Sequence, residues 1–207
     1  MAVVANKRSV MTMYSGAKCP YCHRVRLVLA EKNITVEIVD VEPGDVSEDL
    51  VELNPYGTLP TLVDRDLVLY QSRIIMEYLD ERFPHPPLLP VDPVSKASSR
   101  LFLHRVDNDW YSLMEQIRGG GKAATKARKE LRESLTVTAP VFAAKPYFMS
   151  DEFTLVDCSI APLLWRLPSL GVELPPQAKP VAEYAERLFD RPSFQQSLTE
   201  LEKEMRG

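Results

Sequence analysis

The sequence predicts a small mixed α/β domain followed by an all-helical one, and three observations carry that expectation. A strand, helix, strand alternation runs through residues 9–40. A hairpin pattern and an amphipathic helix then fill residues 61–83. Five prolines between Pro84 and Pro93 interrupt regular structure, and every later pattern is helical.

Ser9–Tyr14 and Ile34–Asp40 alternate with β-branched residues, as half-buried strands do, while Tyr21–Lys32 between them places Val25, Val28 and Leu29 at helical spacing. A strand, helix, strand unit makes its two strands parallel neighbours. A short helical stretch follows near Val46–Leu53. Thr61–Val63 and Leu67–Tyr70 flank the turn Asp64–Asp66 and predict a hairpin closing the same sheet. In Ser72–Phe83, Ile75 and Leu79 share one helical face, with Ile74 and Tyr78 on the next.

Each proline from Pro84 to Pro93 removes an amide donor and fixes its own backbone, which excludes helix and sheet and marks residues 84–94 as a linker between domains 1–83 and 95–207. Beyond it, Phe102, Val106, Trp110, Leu113 and Ile117 predict one buried stripe ended by Gly119–Gly121. Helices over Ala123–Phe142, Leu155–Leu167, Ala178–Phe189 and Ser193–Met205 complete the reading.

Composition narrows the function classes. With 25 Lys and Arg against 29 Asp and Glu the formal charge is −4, so no basic surface invites nucleic acid. The locally basic KAATKARKELR, residues 122–132, has the spacing of a solvated helix face. No apolar run is long enough for a signal peptide or a membrane span, so a cytoplasmic protein is expected. Three cysteines in a reducing compartment do not suggest a disulfide framework.

The stretch AKCPYCHRVRLVLAEK, Ala17–Lys32, holds the densest chemistry. A cysteine just ahead of a helix is set up to react, because unpaired amides and the helix dipole stabilise its thiolate, and Pro20 suits the first helical position. Cys19 is the nucleophile candidate, and Cys22, one turn inside, is placed to resolve a mixed disulfide. Haem attachment needs export and zinc needs two more ligands; His85 and His104 lack that spacing, so no metal is expected. A working thiol site and a loop whose cysteines do no chemistry both remain open.

The order of elements resembles the glutathione transferase fold, a thioredoxin-like βαβ-ββα domain followed by a helical domain. Within that resemblance, Pro60 in TLPTL stands where the fold carries a cis-proline. Gln71-Ser72 in QSRIIMEYL resembles the motif that binds the glutathione carboxylate. Thr154 and Asp157 in TLVD resemble the capping box of the central helix in the second domain. Leu59, Pro60, Gln71 and Ser72 are the implied glutathione contacts, glutathione being an optional ligand and not a required cofactor. Ser72 suits a helix N-cap equally well.

The segments MEYLDERFPHPPLLP, SRLFLHRVDNDWYSLM, ARKELRESL, KPYFMSDEFTLVDCSIAPLLWRLPSLG and SLTELEKEMR resemble the stringent starvation protein A family, bacterial proteins associated with RNA polymerase. That resemblance implies a homodimer without ordinary transferase activity, regulating transcription in starvation or acid stress. It makes RNA polymerase holoenzyme the partner, with no direct nucleic-acid or membrane contact, and Pro84-His85-Pro86 the docking surface. Taken from the residues alone, the tripeptide is a stiff exposed segment that loses little entropy on binding, or else a linker with an incidental histidine. One feature departs from the family: many members lack thiols in the first loop, whereas KCPYCH here resembles the loop of glutaredoxins with this two-domain fold. A glutathione-dependent thiol transferase using Cys19 is therefore the alternative.

Overall fold

A computed structural model describes residues 10–44 and 47–206; Ser9 and Val46, which the sequence reading places in a strand and a helix, lie outside the described residues. The chain divides into two compact units. The described residues through Pro86 join Gln196–Glu202 in the first, and Pro87–Gln195 with the described residues from Lys203 on form the second.

The first unit holds a four-stranded sheet in the order β2-β1-β3-β4, built from β1 (Thr12–Ser15), β2 (Glu37–Asp40), β3 (Thr61–Asp64) and β4 (Leu67–Tyr70). Strand β1 runs parallel to β2, with Met13 beside Ile38, and antiparallel to β3, with Met13 beside Leu62; β3 and β4 form the hairpin. Helix α1 (Pro20–Glu31) supplies the crossover that parallel strands require, and α2 (Glu48–Leu53) and α3 (Ser72–Arg82) complete the unit. Val25, Val28, Leu29, Ile75 and Leu79 are buried as their spacing predicts; Ile74 is exposed.

The second unit is helical: α4 (Pro93–Arg105), a π-helical segment (Val106–Tyr111), α5 (Ser112–Arg118), α6 (Gly121–Ala144), α7 (Leu155–Arg166) and α8 (Lys179–Phe189). Helix α4 starts inside the span read as linker, because Asp92 accepts a hydrogen bond from Ser95 N–H at 2.8 Å and Pro93 needs no partner at the first position. The π-helical segment also corrects the buried stripe. Val106, Trp110 and Ile117 are buried as expected, but the wider turn advances the register by about one residue, so the face that buries Leu103 before it buries Tyr111 and Met114 within and after it, and Phe102 and Leu113 are only half-buried. Gly120 and Gly121, with φ of 76° and 70°, make the turn between α5 and α6 in a region that glycine enters freely.

Helix α6 buries Ala124, Ala127, Leu131, Leu135, Ala139 and Phe142 on one face. Lys126 and Lys129 face water and pair with Glu130 and Glu133 one turn on, whereas half-buried Arg128 donates from Nε to Leu170 O at 2.7 Å. The ring of Phe142 sits among Trp110, Phe148 and Tyr184, with centroids at 5.9, 5.2 and 4.8 Å, which centres the aromatic core of this unit.

The single terminal helix expected over Ser193–Met205 is two short ones, α9 (Pro192–Ser197) and α10 (Glu200–Lys203). Thr199 interrupts it by capping the second. Its Oγ1 accepts from Glu202 N–H at 3.2 Å while the Glu202 carboxylate accepts from Thr199 N–H at 3.0 Å. This break returns Gln196–Glu202 to the first unit, whereas the sequence reading places all of residues 95–207 with the helices.

Candidate functional site

The predicted residues lie in the thiol loop, ahead of β3, at the starts of α3 and α7, and in the proline-rich segment after α3.

Cys19 caps the N-terminus of α1 with an extended backbone, Pro20 takes the first helical position, and Cys19 N–H donates to Gly16 O at 3.1 Å. A Cβ at position 16 would lie 3.2 Å from Cys19 Cβ and 3.4 Å from Leu59 Cδ1, so the loop closes this tightly because residue 16 is glycine. Cys19 is half-buried and Cys22 is fully buried, and neither they nor Cys158 are joined in a disulfide. Gly16 N–H donates to Cys22 Sγ at 3.4 Å. Burial, followed by the contact with Cys19, pushes the Cys22 thiol far above the usual cysteine range. Cys22 therefore stays protonated, and Cys19 is the accessible sulfur of the pair.

Behind this loop lies a polar cluster that the sequence reading missed. Fully buried His23 places Nε2 at 2.9 Å from Ser197 Oγ and Nδ1 at 3.6 Å from Glu202 Oε1. Arg26 donates to both Glu202 carboxylate oxygens at 2.7 Å, to Ser197 O at 3.0 Å and to Ser15 Oγ at 2.8 Å. Thr199 Oγ1 donates to Ala17 O at 2.8 Å. The visible signal was the pattern Thr199-x-x-Glu202, which announces a new helix start inside the terminal segment.

Ahead of β3 the Leu59-Pro60 bond is cis, and Pro60 leads into that strand. Gln71, not Ser72, caps α3: its φ of 72° turns the chain early, and its carbonyl accepts from Ile75 N–H at 3.1 Å. Ser72 is thereby the first helical residue and its hydroxyl is directed elsewhere. Its Oγ accepts from buried Arg24 Nη1 at 3.5 Å, so the site pairs a hydroxyl with a guanidinium at a helix N-terminus, a donor set that suits a carboxylate.

Thr154 and Asp157 form the capping box of α7. Asp157 Oδ2 accepts from Thr154 N–H at 2.8 Å, and Oδ1 accepts from Phe148 N–H at 2.9 Å and Tyr184 O–H at 2.6 Å. Burial raises its carboxyl above the usual range even though these donors oppose the shift.

Pro84, His85 and Pro86 are exposed, and the His85-Pro86 bond is cis. The loop is held from below by Lys32, whose side chain is fully buried. Its Nζ donates to Phe83 O at 2.6 Å and to Pro86 O at 2.7 Å, and lies 2.8 Å from Asp80 Oδ1. Among the described residues no group of three or more His, Cys, Asp or Glu is placed to hold a metal, and no helix is long and apolar enough to cross a membrane.

Comparisons with known proteins extend this picture. Residues 18–82 match the glutathione S-transferase N-terminal domain and residues 103–192 the C-terminal domain. A glutathione S-transferase from the Antarctic clam Laternula elliptica superposes with a TM-score of 0.84 at 25% identity, over 95% of both chains. A stringent starvation protein A homologue of Pasteurella multocida is 57% identical over 96% of this chain and 94% of its own. Another, of Coxiella burnetii, is 57% identical over 97% of each. Identity at that level across nearly the full length, on a glutathione transferase fold, means that the chain belongs to the stringent starvation protein A family.

Proposed function

We propose that this protein regulates transcription in starvation and acid stress by binding RNA polymerase holoenzyme, as a cytoplasmic homodimer, through the surface around Pro84-His85-Pro86. The observation that carries the reading is the exposure of all three residues of that tripeptide. Prolines on either side stiffen the backbone, so His85 is offered to a partner with little entropy left to lose. The names of the relatives support the starvation role, and the burial of Cys22 weighs against a dithiol enzyme. The test is a pull-down of purified holoenzyme by the wild type, His85→Ala and Cys19→Ser/Cys22→Ser. Binding lost with His85→Ala and kept without the thiols is expected; undiminished binding by His85→Ala removes the proposed surface.

One observation favours a second reading. Cys19 is a half-exposed thiol at a helix start, in the same unit as the Arg24 and Ser72 donor pair. In a glutathione-dependent thiol transferase, Ser72 would hold a glutathione carboxylate, Leu59 and Pro60 would line the cysteinyl portion, and the Cys19 thiolate would open a mixed disulfide. Turnover in a coupled reductase assay that disappears with Cys19→Ser would establish it, and silence across several disulfide substrates would dismiss it.

A further inference from the structure

From Pro84 to Pro87 the backbone has one N–H, that of His85, because residues 84, 86 and 87 are prolines. Such a segment cannot form a hydrogen-bonded turn from its own donors, yet its carbonyls still need partners. Phe83 is the C-cap of α3, so its carbonyl also lacks a helical partner. Lys32 meets these demands. An ammonium has three hydrogens to donate. They are matched here by Phe83 O at 2.6 Å, Pro86 O at 2.7 Å and Asp80 Oδ1 at 2.8 Å. The two carbonyls bracket the tripeptide on both sides. Asp80 on α3 and the position of Lys32 as C-cap of α1 anchor the cation to two helices.

We infer that Lys32 is the positioning residue of the Pro84-His85-Pro86 surface: anchored by Asp80, its ammonium ties the carbonyl just before the tripeptide to the carbonyl of its last residue and fixes how His85 leaves the protein. This rests on the docking reading above and adds a residue to it that never touches the partner. A fully buried lysine is costly to desolvate, and a surface linker with no task would not require one. With the cation removed, the loop samples many conformations, and the partner must select the competent one from them.

The experiment compares the wild type, His85→Ala, Lys32→Met/Asp80→Asn and Lys32→Arg. The double change removes the cation without leaving its carboxylate partner charged, and the arginine keeps the charge and the donors. Affinity for purified RNA polymerase holoenzyme, thermal melting, and hydrogen exchange of a peptide spanning the tripeptide are measured for each. His85 contributes the one tripeptide amide in that exchange signal. The expected result is an affinity loss of about ten-fold in the double variant, with faster exchange confined to this peptide and the melting transition retained. Lys32→Arg should stay within about three-fold of the wild type. Wild-type exchange and affinity in a folded double variant overturn the inference. So does a folded Lys32→Arg that loses as much as the double variant, and it decides alone if the double variant does not fold. If His85→Ala binds like the wild type, the docking reading falls, while the exchange data still decide whether Lys32 fixes the loop.

Discussion

Arg26 holds both carboxylate oxygens of Glu202 at 2.7 Å across 176 residues of sequence, closing the first unit with a segment from the far end of the chain. Glu202 is fully buried and Arg26 nearly so, and His23, Ser197 and Thr199 satisfy the groups around them. Removing one partner of such a pair leaves an uncompensated buried charge, which costs about 3–5 kcal/mol. Glu202→Ala should therefore lower the melting temperature by roughly 6–20 °C for a chain of this size. Glu202→Gln, which keeps an acceptor oxygen, should cost less. A thermal melt within about 2 °C of the wild type for Glu202→Ala would contradict this account.

That contact marks the limit of what could be read along the chain. The βαβ-ββα order was legible because each element carries its own period: Val25, Val28, Leu29, Ile75 and Leu79 are buried where local spacing predicts. The exposed tripeptide was legible because prolines act through their own backbone. The positions of Phe102 and Leu113 were not, since the π-helical segment between them shifts the register without a sequence period of its own. Nor could spacing show that Lys32 reaches Phe83 and Pro86, or that Glu202 returns to Arg26. Those partners meet only after tertiary folding, and a lysine or a glutamate in a helical pattern looks like any solvated one.

Thiol labelling should separate the three cysteines cleanly. Cys19 is the half-exposed one, while Cys22 and Cys158 are buried. Iodoacetamide at neutral pH should add one label to the native protein and three after denaturation, as mass spectrometry reads directly. Cys19→Ser should abolish the native label. A second label on the folded protein that maps to Cys22 would show that the Gly16–Cys19 loop opens readily and that Cys22 is available to resolve a disulfide.

The Asp157 carboxylate is the acceptor for four donors: Thr154 N–H and O–H, Phe148 N–H and Tyr184 O–H. Asp157→Asn turns one acceptor oxygen into an NH2 facing donors, so at least one buried donor loses its partner at a cost of about 1–3 kcal/mol. A shift of that size in the urea midpoint is expected for Asp157→Asn. Asp157→Ala, which strips all four donors, should cost more. Equal stability of the wild type and Asp157→Asn would mean that the carboxyl is held protonated in the folded protein, donating where the amide would.

Alkaline pH should loosen the fold through two protons that burial retains. The Cys22 thiol is pushed up by burial and then by Cys19, and the fully buried Tyr184 hydroxyl by burial and then by Asp157. The unfolded chain releases these protons near ordinary values of about 8.5 and 10. Above those values the folded state therefore holds more protons than the unfolded state. Stability from each group is complete below its unfolded pKa and falls as pH rises, by about 1.4 kcal/mol per pH unit per group. The Cys22 contribution should decline first, from about pH 8.5, and that of Tyr184 above about pH 10. Urea unfolding at pH 7.5 and 9.5, under reducing conditions, isolates the first effect. The wild type should lose about 1.4 kcal/mol more than Cys22→Ala over that interval, since only one pH unit of it lies above the unfolded thiol pKa. Parallel losses in the two proteins would show that the Cys22 thiol ionises in the folded state at an ordinary pH, and that its burial does not hold the proton.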